Sequence, residues 1–189
     1  EVGVKTDARG SIVIGDDMQT SVPGIYAAGD VTDRDQFVYM AAYGAKLAVK
    51  NAILGDDQRY DNSDMPWVVF SDPQVAGVGL SEQQARDAGF DVKTSVVPLD
   101  QVPRALAARD TRGLIKLVAD RATDKLLGGQ IIAPEGSDTI QTLVMALKFG
   151  MTTKDLGATI FPYLTTVEGL KLAAQTFDMD VAKLSCCAG

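Results

Sequence analysis

Hydrophobic and polar positions fall into two different patterns on either side of residue 62. Before it, residues 1–30 read as short strands and turns. Ile12-Val13-Ile14 lies between the turns Asp7–Gly10 and Asp16-Asp17, and Pro23-Gly24 precedes a short buried strand over Ile25–Ala28. Phe37–Leu54 is predicted as a helix, rich in Ala41, Ala42, Ala45, Leu47, Ala48 and Ala52, with Gly55 placed to end it. Asp56–Pro66 is polar and turn-rich, which places a domain boundary near residue 62.

After that boundary the chain predicts one α+β domain running to about residue 182. Strands are expected at Trp67–Phe70, Val75–Leu80, Val92–Pro98, Leu114–Ala119 and Leu126–Ala133, the last two joined as a hairpin across Arg121–Asp124. Ser81 and Gln84 have the spacing of a capping box, so a helix runs from there to Ala88 and stops at Gly89. Ser137 is expected to cap a helix through Phe149, whose Ile140, Leu143, Val144 and Leu147 recur at helical spacing. A last helix is expected from about Thr166 to Phe177.

Composition narrows the function. The chain has 189 residues, 46% of them hydrophobic, which suffices for a substantial core. With 25 acidic residues against 18 basic ones the formal charge is −7, and no basic cluster is present to neutralise phosphates or anionic lipids. Nucleic acid and membrane surfaces are therefore not expected partners. No apolar run approaches the ~20 residues of a membrane span. The first residue is Glu1, and the opening residues read as the middle of a domain, so the chain is expected to be a C-terminal piece of a longer protein. There is no histidine, which removes the commonest base near neutral pH and the commonest metal ligand.

The only two cysteines, Cys186 and Cys187, stand side by side near the end. Two adjacent thiols do not make a secreted disulfide framework, and a reducing cytoplasm fits them best. The pair is open to three readings: an incidental pair, a strained vicinal disulfide, or two thiolates presented to one soft metal ion. Asp30, at the carboxyl end of the Ile25–Ala28 strand, suits either a solvated turn or a carboxylate that takes hydroxyl groups of a ligand.

Thr20, Tyr26, Ala27, Gly29 and Asp30 together reproduce a pattern, Thr-x-x-x-x-(apolar)-Tyr-Ala-x-Gly-Asp, that resembles the second flavin-binding motif of the pyridine nucleotide-disulfide oxidoreductases. The resemblance implies that residues 1–62 are the end of an α/β FAD-binding domain. It implies that 63–182 are the dimerisation (interface) domain, an antiparallel sheet with helices, and that 183–189 are a tail carrying the cysteine pair. Asp30 would hold the ribityl chain of FAD, with Gln36, Phe37 and Val38 close to the flavin. NADPH would bind outside this chain.

Phe161-Pro162-Tyr163-Leu164-Thr165-Thr166-Val167-Glu168 resembles the place where disulfide-reducing members carry His-Pro-Thr-x-x-Glu. Tyr163 stands where the His would be, and Thr165 and Glu168 match. A phenol, with an ordinary pKa of about 10, does not readily shuttle protons near neutral pH. A disulfide substrate needs its leaving thiol protonated, whereas a metal ion does not. With Val167–Phe177, Asp72–Val75, Val102–Ala105 and the terminal Cys186-Cys187-Ala188-Gly189, the chain is most similar to the branch of the family that reduces mercuric ion. That implies a homodimer in which Tyr163, Glu168, Cys186 and Cys187 serve the catalysis. Cys186 and Cys187 would capture Hg(II) from small-thiol complexes and pass it to redox-active cysteines of the partner subunit. A non-catalytic metal-binding or dimerisation module, and a disulfide reductase using the tail cysteines as a redox pair, are the competing readings.

Overall fold

The computed structural model of the protein describes residues 2–180. The chain divides into two compact units, Glu1–Asn62 and Ser63–Gly189.

In the first unit, a run of turns leads into α1 (Val38–Leu54), which Gly55 ends in the left-handed conformation. Ile12–Ile14 and Ile25–Ala28, expected as strands, form only the single bridges Thr6↔Ile12, Ile14↔Thr20 and Gln19↔Tyr26. Their backbone groups close turns instead, with Thr20 N–H on Ile25 O at 2.9 Å and Ala27 N–H on Met18 O at 3.1 Å. Two-residue pairings without further strands do not extend into a sheet. A small core of Met18, Leu47 and Ala48 joins the turns to α1, with Ile14, Tyr26, Ala28 and Tyr60 around it. Asn51 fastens the far end of the unit. Its side-chain amide donates to Asp17 O at 3.0 Å and Gln58 O at 2.8 Å, and its oxygen accepts from Gln58 N–H at 2.8 Å.

The second unit is an antiparallel sheet of five strands: β1 (Pro66–Val69), β2 (Gln74–Gly79), β3 (Val92–Pro98), β4 (Leu114–Asp120) and β5 (Leu126–Ala133). Their spatial order is β1-β2-β5-β4-β3. Period-two alternation sends neighbours to opposite faces. Leu117 joins the main core, while Val118 joins a smaller cluster with Ala85 and Val92. Two helices cover the main face. α4 (Gly136–Lys148) buries Ile140, Leu143 and Val144, and α6 (Glu168–Gln175) buries Leu170, Leu172, Ala173 and Ala174. α2 (Glu82–Asp87) starts with the predicted Ser81/Gln84 capping box.

α4 begins two residues earlier than expected, at Gly136, with Glu135 rather than Ser137 at the cap position. The reason is tertiary: the Ser137 N–H donates to the Gln74 side chain on β2 at 2.9 Å. Two short helices were not expected. α3 (Pro103–Ala108) has proline in its first turn, and α5 (Thr153–Ala158) starts with a Thr152/Asp155 capping box. Both carry recognised start signals. At the far end of α6, the Ser95 hydroxyl on β3 donates to Ala173 O at 2.6 Å and pairs with the Thr176 hydroxyl. The Lys93 ammonium lies over the Phe177 ring, 5.0 Å from its centre.

Two features of this unit give direct tests. A Cβ at Gly128 would meet backbone atoms of Leu80, the oxygen at 2.2 Å and the nitrogen at 2.6 Å, and neither can turn away. Gly128→Ala is expected to destabilise the protein by about 3 kcal/mol, read as a lower urea midpoint. Glu82 accepts from Lys116 at 2.6 Å and Arg86 at 2.8 Å. Lys116 first, and Arg86 second, hold its carboxyl down to about 2. Because the folded value lies below the unfolded one, this link is fully present above about pH 5 and fades as pH falls toward 2. Carboxyl NMR titration is expected to show Glu82 ionised well below the other glutamates.

Candidate functional sites

Each unit presents one candidate site. In the first unit, the Gln19–Tyr26 bridge fixes the start of the Thr20–Asp30 segment. Thr20 is buried, and its hydroxyl accepts from Val22 N–H at 3.2 Å, closing the turn. The Tyr26 hydroxyl accepts from the Gln19 amide at 3.1 Å while its ring packs on the small core. Gly29 follows with φ +78° and ψ −159°, a backbone glycine adopts freely. A Cβ there would come within 3.1 Å of the Ala41 Cβ, so this segment passes tightly against α1.

Asp30 then opens a 3-10 turn over Asp30–Thr32, pinned by the Thr32 hydroxyl on Gly29 O at 2.8 Å. Nearby acids are all engaged. Asp16 pairs with Arg34 at 2.6 Å. Asp33 pairs with Arg9 and accepts from the Gln36 amide at 3.0 Å. Asp35 accepts from the Tyr60 hydroxyl at 3.1 Å and the Asn62 amide at 2.8 Å. Burial, and secondarily Asp35, push the Tyr60 phenol above its ordinary range. Asp30 differs. It is exposed, and its carboxylate has no hydrogen-bond or ion-pair partner among the described residues.

The start of α1 is similarly open. Phe37, in extended conformation, is its N-cap residue, no side chain caps it, and its first turn holds no acidic residue. The positive end of the helix dipole is thus uncompensated by a side chain. Val38 is 88% exposed, Gln36 is exposed, and the Phe37 ring stacks on Tyr39 with centres 5.2 Å apart. A partnerless carboxylate that can take hydroxyl groups, beside a helix start suited to electron-rich atoms, fits a polyhydroxylated flavin cofactor.

In the second unit, Phe161–Val167 turns into α6. Tyr163 is 62% exposed at the tip, and Glu168, the first helical residue, is 4% exposed. The Glu168 carboxylate accepts from the Leu164 N–H at 3.1 Å. Thr166 is buried, and its hydroxyl donates to Glu135 at 2.7 Å. Glu135 in turn lies 3.7 Å from the Arg104 guanidinium. Arg104, Glu135 and Thr166 rim a cleft of about 260 Å³ whose walls include Leu99, Val102 and Ala105. Glu135 and the left-handed Leu164 were not singled out in the sequence. Leu carries no signal for that conformation, and Glu135 is recognisable only from its contacts.

Cys186 and Cys187 lie outside the described residues. Among the described residues no cluster of three His, Cys, Asp or Glu side chains could hold a metal, and no helix is long and apolar enough to cross a membrane.

Residues 65–174 match the dimerisation domain of the pyridine nucleotide-disulphide oxidoreductases, and residues 1–48 match a second model described by that same family name. The chain belongs to this family. The relatives it resembles include a protein named mercuric reductase from Bacillus cereus, 54% identical over 187 residues, covering 99% of this chain and 30% of that protein. Another of the same name, from Lysinibacillus sphaericus, is also 54% identical, over 99% of this chain and 34% of its own length. The chain thus spans about a third of these relatives. Among solved structures, LpdA from Mycobacterium tuberculosis superposes with a TM-score of 0.84 at 25% identity, covering 94% of this chain and 39% of that one. The HOCl-induced flavoprotein disulfide reductase RclA from Escherichia coli, in a Cu(II) complex, gives 0.83 at 28% identity, over 92% and 40%.

Proposed function

We propose that this chain is the C-terminal portion of a homodimeric flavoenzyme that reduces Hg(II) to Hg(0) with NADPH, working in a reducing cytoplasm. The observation that carries this reading is the 54% identity to a mercuric reductase across nearly the whole chain. Asp30 would hold the ribityl hydroxyls of FAD, and Gln36, Phe37 and Val38 would stand beside the flavin at the uncapped start of α1. When bound, FAD supplies the electron relay between NADPH and the metal. Residues 1–62 would complete that cofactor's domain and 63–182 would form the subunit interface.

Within this reading Cys186 and Cys187 capture the substrate. Hg(II) is soft and favours two thiolates in a line. Each cysteine thiolate that binds displaces one thiolate of an incoming Hg(II)–bis-thiolate complex, so coordination number and charge are conserved. The same exchange passes the ion on to the partner subunit's cysteines without releasing it to water. Tyr163 suits this chemistry because no leaving thiol waits for a proton from it.

A second reading, a disulfide reductase, is favoured by the likeness to RclA. One experiment separates the two. In the intact enzyme, NADPH oxidation is expected with Hg(II) in excess thiol and not with glutathione disulfide. Turnover of the disulfide alone would install the second reading.

A further inference from the structure

We propose that Glu168 is a positioning residue: its buried carboxylate holds Leu164 in the left-handed conformation and so fixes where the Tyr163 phenol stands. This rests on the reading above, in which Tyr163 lies on the path of the metal.

Leu164 has φ +64°, a left-handed conformation that is costly for a non-glycine residue and so calls for a compensating contact. Its own burial does not supply one, since it is 39% exposed. The Glu168 carboxylate does, by accepting the Leu164 N–H at 3.1 Å. The rest of the turn closes through Thr165, whose hydroxyl donates to Pro162 O at 2.9 Å and accepts from the Glu168 N–H at 3.3 Å. The Thr165–Glu168 pair follows the logic of a capping box, with one difference. The carboxylate reaches back past the threonine to the residue before it. That extra reach captures the residue whose conformation is costly, and it projects Tyr163 outward from the tip, 62% exposed. Glu168 itself, at 4% exposure, is withdrawn from solvent and acts through the backbone.

Four variants of the intact flavoenzyme test this: Glu168→Ala, Glu168→Gln, Leu164→Gly, and Glu168→Ala combined with Leu164→Gly. Glu168→Ala is expected to lower kcat for Hg(II) by about 10- to 100-fold, the scale of a small misplacement near the reacting centre, with the KM for NADPH unchanged. Glu168→Gln recovers most of that loss, because the amide keeps an acceptor oxygen. Leu164→Gly in the Ala background also recovers it, since glycine needs no help to be left-handed. Hydrogen exchange at the Leu164 amide gives a readout that does not depend on activity. It is expected to be slow in the parent and in Glu168→Gln, and fast in Glu168→Ala.

Unchanged exchange in Glu168→Ala overturns the inference. A Gln variant as impaired as the Ala variant also overturns it, by showing that the charge itself is used. So does a double variant that stays impaired. Exchange that shifts as expected, while turnover is unmoved in every variant and in Tyr163→Phe, instead sinks the placement of Tyr163 on the metal's path.

Discussion

Asp30→Ala in the intact flavoprotein is expected to weaken FAD retention by about 10- to 100-fold, the equivalent of the ~1.5–3 kcal/mol carried by hydrogen bonds to a charged group. Equilibrium dialysis against free FAD reads it directly. The expectation is sharp because Asp30 has so little else to do. Asp16, Asp33 and Asp35 each stabilise a turn or a neighbour, so their loss would disturb the fold as well as the cofactor. Asp30 is exposed and partnerless among the described residues, and its turn is pinned by Thr32 through Gly29 O, without its carboxylate. Protein stability without FAD is therefore expected to stay within about 0.5 kcal/mol of the parent. An Asp30→Ala enzyme that keeps its flavin as tightly as the parent would remove Asp30 from the cofactor site.

The second large effect concerns the cysteines. With Hg(II) titrated into the reduced protein against excess small thiol, native mass spectrometry is expected to find one tightly held ion per chain. Cys186→Ala or Cys187→Ala is expected to lower retention by more than about 100-fold, beyond the 10- to 100-fold that losing an outer partner costs a metal site. A single thiolate is only one of the two ligands the ion favours, so the competing thiol wins it back. Both single variants matter, because a site that survived either change would not be a two-thiolate carrier.

The dimerisation-domain fold was legible where local signals agreed with tertiary packing. The five strands were legible because each carries its own alternation or apolar run bounded by turn residues. The β4–β5 hairpin and the Ser81 capping box needed nothing from elsewhere in the chain. The structure departs from the local signals where a distant partner decides the outcome. Ser137 has the chemistry of a cap, but Gln74 on β2 takes its N–H and the helix starts at Gly136. Ile12–Ile14 and Ile25–Ala28 are apolar enough for strands, yet find only single bridging partners. The helix at Pro103–Ala108 shows the opposite failure: proline at its start was a readable signal that the apolar pattern alone did not reveal.

The candidate sites divide the same way. The Thr20–Asp30 pattern was readable because it is contiguous, and Tyr163 and Glu168 because their spacing matches a known arrangement. The strained Leu164 that lies between them was not readable, because its conformation comes from a carboxylate four residues away in sequence and buried in the fold.

The hydroxyl pair of Ser95 and Thr176 has one more consequence, which is a limit on distance. It ties the end of α6 to β3, so Thr176 is a fixed origin for whatever follows it. Cys186 comes ten residues later. A chain of that length spans at most about 33–36 Å when fully extended. Any sulfur that receives a metal ion from Cys186 must therefore come within that radius of Thr176, plus the length of two side chains. Asp178 and Met179 still fold back onto α6, their amides donating to Gln175 O at 3.2 and 3.1 Å, so the shortening is made after them: each residue removed from 180–184 shrinks the radius by up to about 3.5 Å. Serial deletion would thus measure, as the length at which transfer stops, how far the receiving thiols stand from β3.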